Sequence, residues 1–400
     1  MEEKKLKILH LVSTSEGANW LYRIASIQKR DGHNVKVAVC TAPKKESRLI
    51  KRLQESQIPY LIIDISGSKI KNLFRILKNS FKLFFYIKSE RFDVVHYHLL
   101  KAIIVGRIVS YITKVPVRVS QWPGYAYANF PLFLFLDKLT YKMDSIVIAS
   151  SKYTKDLLIK KGFRGDKITV IYYGTDINRL TYSNEKALSF KKEWGLEDFK
   201  VVGMVAYMYK PLKDSQKIGI KGHEYFIQAA KIVLEKRNDV KFVIVGDELV
   251  GVGSYRKSLE KMTENLSIKD NVIFTGFIED VQKPLSAMDI VCVPSVMENL
   301  GGVTEPLIMG KPVIASNTGG IPEAIIHEKT GLLFNVGDVQ GLANSTIRLL
   351  ENHEFAKELG RNGREYIKAF MNVEKTTKEI ERTYHKILST TIKNSNDDSI

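Results

Sequence analysis

Short apolar runs alternate along this chain with longer segments in which apolar residues recur every three or four positions. That alternation predicts parallel strands joined by helices, because strands buried on both faces read as continuous apolar runs and crossover helices as amphipathic ones. The predicted strands are 7–12, 34–39, 60–63, 94–97, 118–120, 145–149 and 169–172 in the first half, and 200–205, 241–245, 271–274, 289–293 and 313–316 in the second. Two such sets predict an α/β protein of two doubly wound domains, 1–180 and 181–372, facing across a cleft, with a connection and short helix over 182–198. The length of 400 residues also exceeds what one core usually serves. Residues 389–400 form a polar tail that is predicted to fray.

The densest chemistry lies in VPSVMENLGGVTEPLIMGKPVIASNTGGIPEAIIHEKTGLLF, residues 293–334. An apolar run ending at Pro294 predicts a buried strand, and Gly301 and Gly302 let backbone amides approach a ligand at the start of the next helix. Pro306 reads as part of that helix's first turn, Gly310 as its left-handed cap and Pro312 as the bar to its continuation. Strand, glycine loop and helix together predict an anion site flanked by two carboxylates, Glu298 and Glu305.

This segment resembles the donor-binding signature of the retaining family 4 glycosyltransferases, enzymes of the GT-B fold that use nucleotide-diphosphate sugars without a catalytic metal. Glu305, Gly310, Pro312 and Gly319-Gly320 keep the family's order, although six residues rather than the family's seven separate Glu298 from Glu305. The resemblance extends over nearly the whole chain outside the tail. It implies two Rossmann-like domains, with a final helix over 373–388 crossing back to the first. It also implies that Glu305 accepts hydrogen bonds from both ribose hydroxyls, a role suited to an acceptor-only carboxylate. Glu298 is implied to lie near the transferred sugar with the amides of Leu300, Gly301 and Gly302.

The family's cationic loop corresponds to GMVAYMYKP and GIKGHEYF, where Tyr207 stands for the usual Arg and the candidate cations are Lys221, then Lys210. A cation is needed there because the leaving diphosphate gains negative charge as the glycosidic bond breaks. TGFIED resembles the loop that frames the nucleobase, implying mainly backbone roles for Phe277 and Ile278. Gly17 falls in the family's opening glycine turn, with Glu16 where a second glycine is commoner. The usual His-Gly pair is replaced by Trp122, Pro123 and Gly124, which leaves His98, or His96, as the substitute imidazole.

The implied activity is retaining transfer from a UDP-sugar, a co-substrate with no further cofactor, to a glycan or lipid-linked acceptor. Capsule, lipopolysaccharide and exopolysaccharide assembly are the implied settings. A sugar-nucleotide epimerase, a sugar phosphorylase and an inactive scaffold of the same fold are the rival readings.

Charge adds a partner to this picture. Residues 1–180 carry 32 Lys and Arg against 14 Asp and Glu, while the remainder is near neutral, within a total of +17. The excess is sharpest over 69–91, where Ile70, Leu73, Phe74, Leu77, Phe81 and Phe84 share one helical face and Lys71, Arg75, Lys78 and Lys82 another. This is the form of a helix that lies on an anionic membrane, and equally of one that packs on the sheet with solvated lysines. Nucleic acid is not expected as a partner, since no recognised motif or spaced stacking aromatics accompany the charge.

No apolar run approaches a membrane span, and the opening lacks the regions of a secretory signal. Cys40 and Cys292 sit in apolar runs, as core residues of a reducing compartment do. The expected location is therefore cytoplasmic, peripheral at the inner membrane face. His96 and His98 point to one side of a strand, and no third ligand stands at motif spacing, so no metal site is expected.

Overall fold

The structure is a computed structural model and describes residues 4–42, 47–67, 72–124, 131–178, 180–211, 218–248 and 253–397. The chain divides into two compact units, residues 1–175 with 371–400, and residues 176–370.

In the first unit the elements run β1 (Lys7–Val12), α1 (Asn19–Arg30), β2 (Asn34–Val39), α2 (Arg48–Glu55), β3 (Tyr60–Ile62), α3 (Leu73–Glu90) and β4 (Val94–His98). They continue through α4 (Leu100–Ile112), β5 (Val117–Trp122), α5 (Pro131–Thr140), β6 (Ile146–Ala149), α6 (Lys152–Lys160) and β7 (Ile168–Val170). The second unit holds α7 (Asn184–Trp194), β8 (Lys200–Val205), α8 (His223–Leu234), β9 (Val240–Val245), α9 (Ser254–Asn265), β10 (Val272–Gly276), α10 (Gln282–Ala287) and β11 (Ile290–Val293). After these come α11 (Gly301–Ile308), β12 (Val313–Ser316), α12 (Ile321–Ala324), β13 (Leu332–Phe334), α13 (Val339–Glu351) and α14 (His353–Phe370). The last helix, α15 (Val373–Asp397), belongs to the first unit.

Both sheets are parallel, in the orders β3-β2-β1-β4-β5-β6-β7 and β10-β9-β8-β11-β12-β13. Each order reverses once, between β1 and β4 and between β8 and β11. In open α/β sheets ligands bind beyond the strand C-termini at such a reversal.

In the first unit, α1, α2 and α15 cover one face of the sheet while α3, α4 and α6 supply the core of the other. The α15 contribution follows from its spacing: Val373, Thr377, Ile380, Tyr384 and Leu388 form one buried stripe. Fraying from residue 389 is not seen, because the helix that begins at Val373 runs on to Asp397. Strand β13, which follows Gly331, was not expected either.

The expected helix over 69–91 spans Leu73–Glu90, and Lys69, Ile70 and Lys71 lie outside the described residues. Its apolar residues divide between two faces. Leu83 and Ile87 are buried and Ile76 and Phe84 pack on the same core, whereas Leu73, Phe74, Leu77, Phe81 and Phe85 point outward, Phe74 at 78% exposure. Phe84 is thus separated from the stripe it was grouped with.

In α5, Phe133 and Leu134 pack partly on the core, but the fully buried side chain is an acid. Asp137 is fully buried against Arg107 of α4, while Leu132, Phe135, Leu136 and Leu139 are exposed. Arg107 also donates through Nε to Asp144 Oδ2 at 2.9 Å, and Asp144 accepts from Tyr97 and Ser120, both at 2.7 Å. Burial opposes the Arg107 charge, but Asp144 and Asp137 more than offset it and its pKa is raised. Twelve of the twenty large exposed apolar side chains among the described residues lie on α3, α4 and α5.

Candidate active site

In the second unit the loops after β8 and β11 are pinned together at the sheet's reversal. The Val296 amide donates to Ile220 O at 2.8 Å, and Gly222, at φ +68°, lies so close to Pro294 that a Cβ would meet its carbonyl at 1.9 Å. Gly319, at φ +56°, presses equally on the carbonyl of Glu298. Glycine is required at both positions by conformation and by space. The outcome is a direct ion pair between Lys221 and Glu298, with Glu298 Oε1 also accepting from the Asn299 amide at 3.0 Å. The side chains are 22% and 10% exposed, so the pair is shielded yet reachable.

The first turn of α11 lies under this carboxylate. A Cβ on Gly302 would stand 3.0 Å from Val293 and 3.2 Å from Glu298 Oε2. Pro306 is the sixth residue of that helix rather than part of its first turn, because the expected glycine loop is already helical from Gly301. The missing Pro306 N–H leaves the Gly302 carbonyl without its usual intrahelical donor. Gly310, at φ +71°, does follow the helix in left-handed conformation. Leu300 is buried at the N-cap, and Glu305, half-buried, stands one turn beyond Gly301 on the same helical face.

Tyr209 lies near the pair and belongs to a cluster of three aromatic rings. Tyr207 and Phe277 lie with parallel planes, 10° apart and 6.0 Å between centroids, and Tyr209 meets Tyr207 edge-on at 6.4 Å. Burial raises the Tyr209 phenol, which also feels Lys221 and Glu298. Ile278 is half-buried beside the exposed Phe277. Lys210 is exposed, and much of its loop, 212–217, lies outside the described residues. His223 opens α8 next to Lys221; burial, then the Lys221 charge, pushes its pKa down to about 3.

The structure brings Lys221, Glu298, Leu300, Gly301, Gly302 and Glu305 together in one unit, with Phe277 and Ile278 on the loop after β10. The other two expected residues belong to the first unit, where Gly17 lies exposed at φ +69° in the loop after β1.

His98 is in that unit's core, fully buried with His96 and His10. The third histidine was not foreseen, because it arrives through register: His10 of β1 is paired with His96 of β4. Gln28 Oε1, 2.8 Å from His10 Nε2, can only accept, so that nitrogen carries the proton. His10 Nδ1 then accepts from His98 Nε2 at 3.1 Å. Burial is the first cause that lowers all three pKa values, His10 to about 4, and like-charge neighbours add to it for His96 and His98. No third ligand stands at motif spacing in the sequence, yet the fold supplies one, since the three rings offer ligand atoms within 4.8 Å of one another. His10 and His98 are hydrogen-bonded to each other, while His96 Nδ1 pairs with the Tyr384 hydroxyl at 2.6 Å.

Tyr209 was not singled out from sequence as part of this site, and Tyr207 was noted only as standing for the usual Arg. Their signal was the aromatic pair in AYMY at the end of a predicted strand.

Comparison with known proteins gives the same assignment. Glycosyltransferase Family 4 matches residues 17–179 and Glycosyl transferases group 1 matches residues 218–366. The chain is 26% identical to the UDP-Gal:alpha-D-GlcNAc-diphosphoundecaprenol alpha-1,3-galactosyltransferase of Escherichia coli, over 78% of this chain and 80% of that one. It is 25% identical to the capsular polysaccharide biosynthesis glycosyltransferase CapM of Staphylococcus aureus, over 96% and 98%. Among solved structures it is similar to Anabaena Alr3699/HepE in complex with UDP, with TM-score 0.78, 24% identity and coverage of 94% and 99%. Two parallel α/β units and these matches agree, and the chain belongs to the family 4 glycosyltransferases of the GT-B fold.

Proposed function

We propose that this glycosyltransferase moves a sugar, with retention of configuration, from a UDP-sugar to a lipid-linked acceptor during surface-polysaccharide assembly at the cytoplasmic face of an anionic membrane. The observation that carries the donor half is the Lys221–Glu298 pair over the glycine turn of α11. It supports the reading that Lys221 meets the charge of the leaving diphosphate; the nucleotide sugar is then a co-substrate, and no metal is assigned to the step. The carboxylate of Glu305, on the face of α11 that carries Gly301, takes the ribose hydroxyls. UDP is favoured by the named donor of the Escherichia coli relative and by the ligand in the HepE crystal.

The acceptor half rests on α3, α4 and α5. Their outward apolar side chains are accompanied by Arg75, Lys78, Lys82, Lys88 and Lys138, all exposed, and by no exposed acid among the described residues of these helices. Aromatic rings and long cationic side chains on one surface suit the boundary of an anionic bilayer. No helix among the described residues is long and apolar enough to span one.

Two experiments test the halves separately. A nucleotide panel at concentrations about a hundred-fold above Kd should raise the melting temperature by about 5 °C for UDP or its sugar alone, and Glu305→Ala should abolish the rise. A shift with every nucleotide, or one unchanged in the variant, rejects the assignment. In flotation, phosphatidylglycerol vesicles should carry the wild type but not the Phe74→Ser, Phe81→Ser, Phe85→Ser variant; equal flotation of both rejects the membrane face.

A further inference from the structure

A cavity of about 940 Å³ opens in the first unit at the N-terminal ends of β5, β6 and β7, between the end of α4 and residues 383–391 of α15. This is the end of the sheet opposite His98 and Gln121, and its walls include Lys114, Arg118, Lys142, Lys167 and Lys386. The acid among its lining residues, Asp144, is already engaged by Arg107, Tyr97 and Ser120. Hydroxyls of Ser145, Thr169, Thr383 and Thr390 stand among the cations.

We infer that this cavity is a second binding site of the protein, for a phosphate-bearing anion. Lys114, Lys142 and Lys386 are exposed and have no side-chain partner among the described residues. Arg118 is prearranged: Nε donates to Met143 O at 2.7 Å, Nη1 to Val115 O, and its guanidinium lies 5.5 Å from the centre of the Tyr111 ring. Lys167 is held by two backbone carbonyls, Lys142 O at 3.1 Å and Asp144 O at 3.0 Å. Burial chiefly, then Arg118 and Arg164, lower its pKa against the pull of Asp144. Arg118 and Lys167 repel one another, and a polyanion with several acceptor oxygens relieves that repulsion while filling the unused donors of the exposed lysines. The volume suits a headgroup or a diphosphate rather than a single small ion.

Tyr111 and Ile112 form part of the cavity wall and also belong to the exposed apolar surface of α4. A lipid headgroup reaching the cavity from that surface and a free phosphate compound share one chemistry. The lipid source rests on the membrane reading above, whereas the free source does not.

The test pairs the wild type with the Lys114→Gln, Lys142→Gln, Lys386→Gln variant, whose changes lie on exposed side chains. Titration calorimetry uses inorganic pyrophosphate, and flotation compares vesicles of phosphatidylglycerol with vesicles of phosphatidylcholine. Loss of three charge-assisted contacts should weaken pyrophosphate binding about a hundred-fold or more. Weakened phosphatidylglycerol binding without any pyrophosphate binding also supports the site and identifies the lipid as its source.

Pyrophosphate and vesicle binding that are both unchanged in the variant, or both absent from the wild type, overturn the inference. Vesicle binding that survives the lysine changes but is lost in the α3 serine variant, without pyrophosphate binding, overturns the cavity and leaves the membrane reading standing. Pyrophosphate binding lost with the lysines, in a protein that floats with no vesicle, does the reverse.

Discussion

Lys221→Ala should lower turnover about a hundred- to a thousand-fold while changing UDP affinity only a few-fold, the scale seen when one fixed electrostatic donor is taken from a transition state. The asymmetry follows from when the charge appears. A bound nucleotide sugar already carries its diphosphate charge, but the oxygen that leaves the sugar gains more as the bond stretches, and only that gain separates transition state from ground state. Lys221 is held for this by Glu298 and by the fit of Gly222 against Pro294. Lys221→Arg should recover part of the turnover, since charge is kept while shape changes. Single-turnover rates and equilibrium UDP binding, measured on the same variants, separate the two effects. If Lys221 only braces its loop, the alanine variant will lose UDP affinity and melting temperature in proportion to activity, and the arginine variant will not rescue the rate.

The sheets were legible because their strands are buried on both faces. Lys7–Val12, Asn34–Val39, Lys200–Val205 and Val313–Ser316 match the expected runs end to end. Strand β13 escaped because its apolar run stops at Asn335, whereas the equally short β3 and β7 sit in longer apolar runs. Pro306 misled for a physical reason: proline is a good marker of a first turn only where the preceding residues are extended, and Gly301-Gly302 are helical here because the turn packs on Val293 and Glu298.

Glu298, Glu305 and Lys221 could be named from local order, whereas the Lys221–Glu298 contact spans 77 positions and depends on how two loops meet. The third histidine was hidden in the same way. His10 sits in an ordinary apolar strand, and only the pairing of β1 with β4 brings it to His96. The outward stripe of α3 was ambiguous in principle, because the helix is apolar on two sides and sequence alone does not say which side finds the sheet. Leu83 and Ile87 take the core, and Phe74, Phe81 and Phe85 are left outside.

Lowering the pH from 7.5 to 5 should remove several kcal/mol of stability, well before most carboxylates titrate. An unperturbed imidazole titrates near pH 6.5, whereas His10 in the folded chain does so at about 4 and His223 at about 3, chiefly through burial. Between those values the unfolded chain binds the extra proton, so stability falls as pH falls, and each group costs on the order of 2 kcal/mol by pH 5. His96 and His98 are lowered for the same first cause and act in the same direction. Asp137 opposes them: burial raises it to about 6, so the folded chain takes up its proton first and regains about 1 kcal/mol over the same range.

Three of the four histidines lie in the first unit and one in the second. Urea unfolding at the two pH values should therefore show both transitions weakening, with the first unit's falling further. His223→Asn should flatten the pH dependence of the second unit alone. Equal stability at pH 7.5 and pH 5 would show that these imidazoles are protonated in the folded chain, and the tautomer assignment around His10, Gln28 and His98 would fall with it.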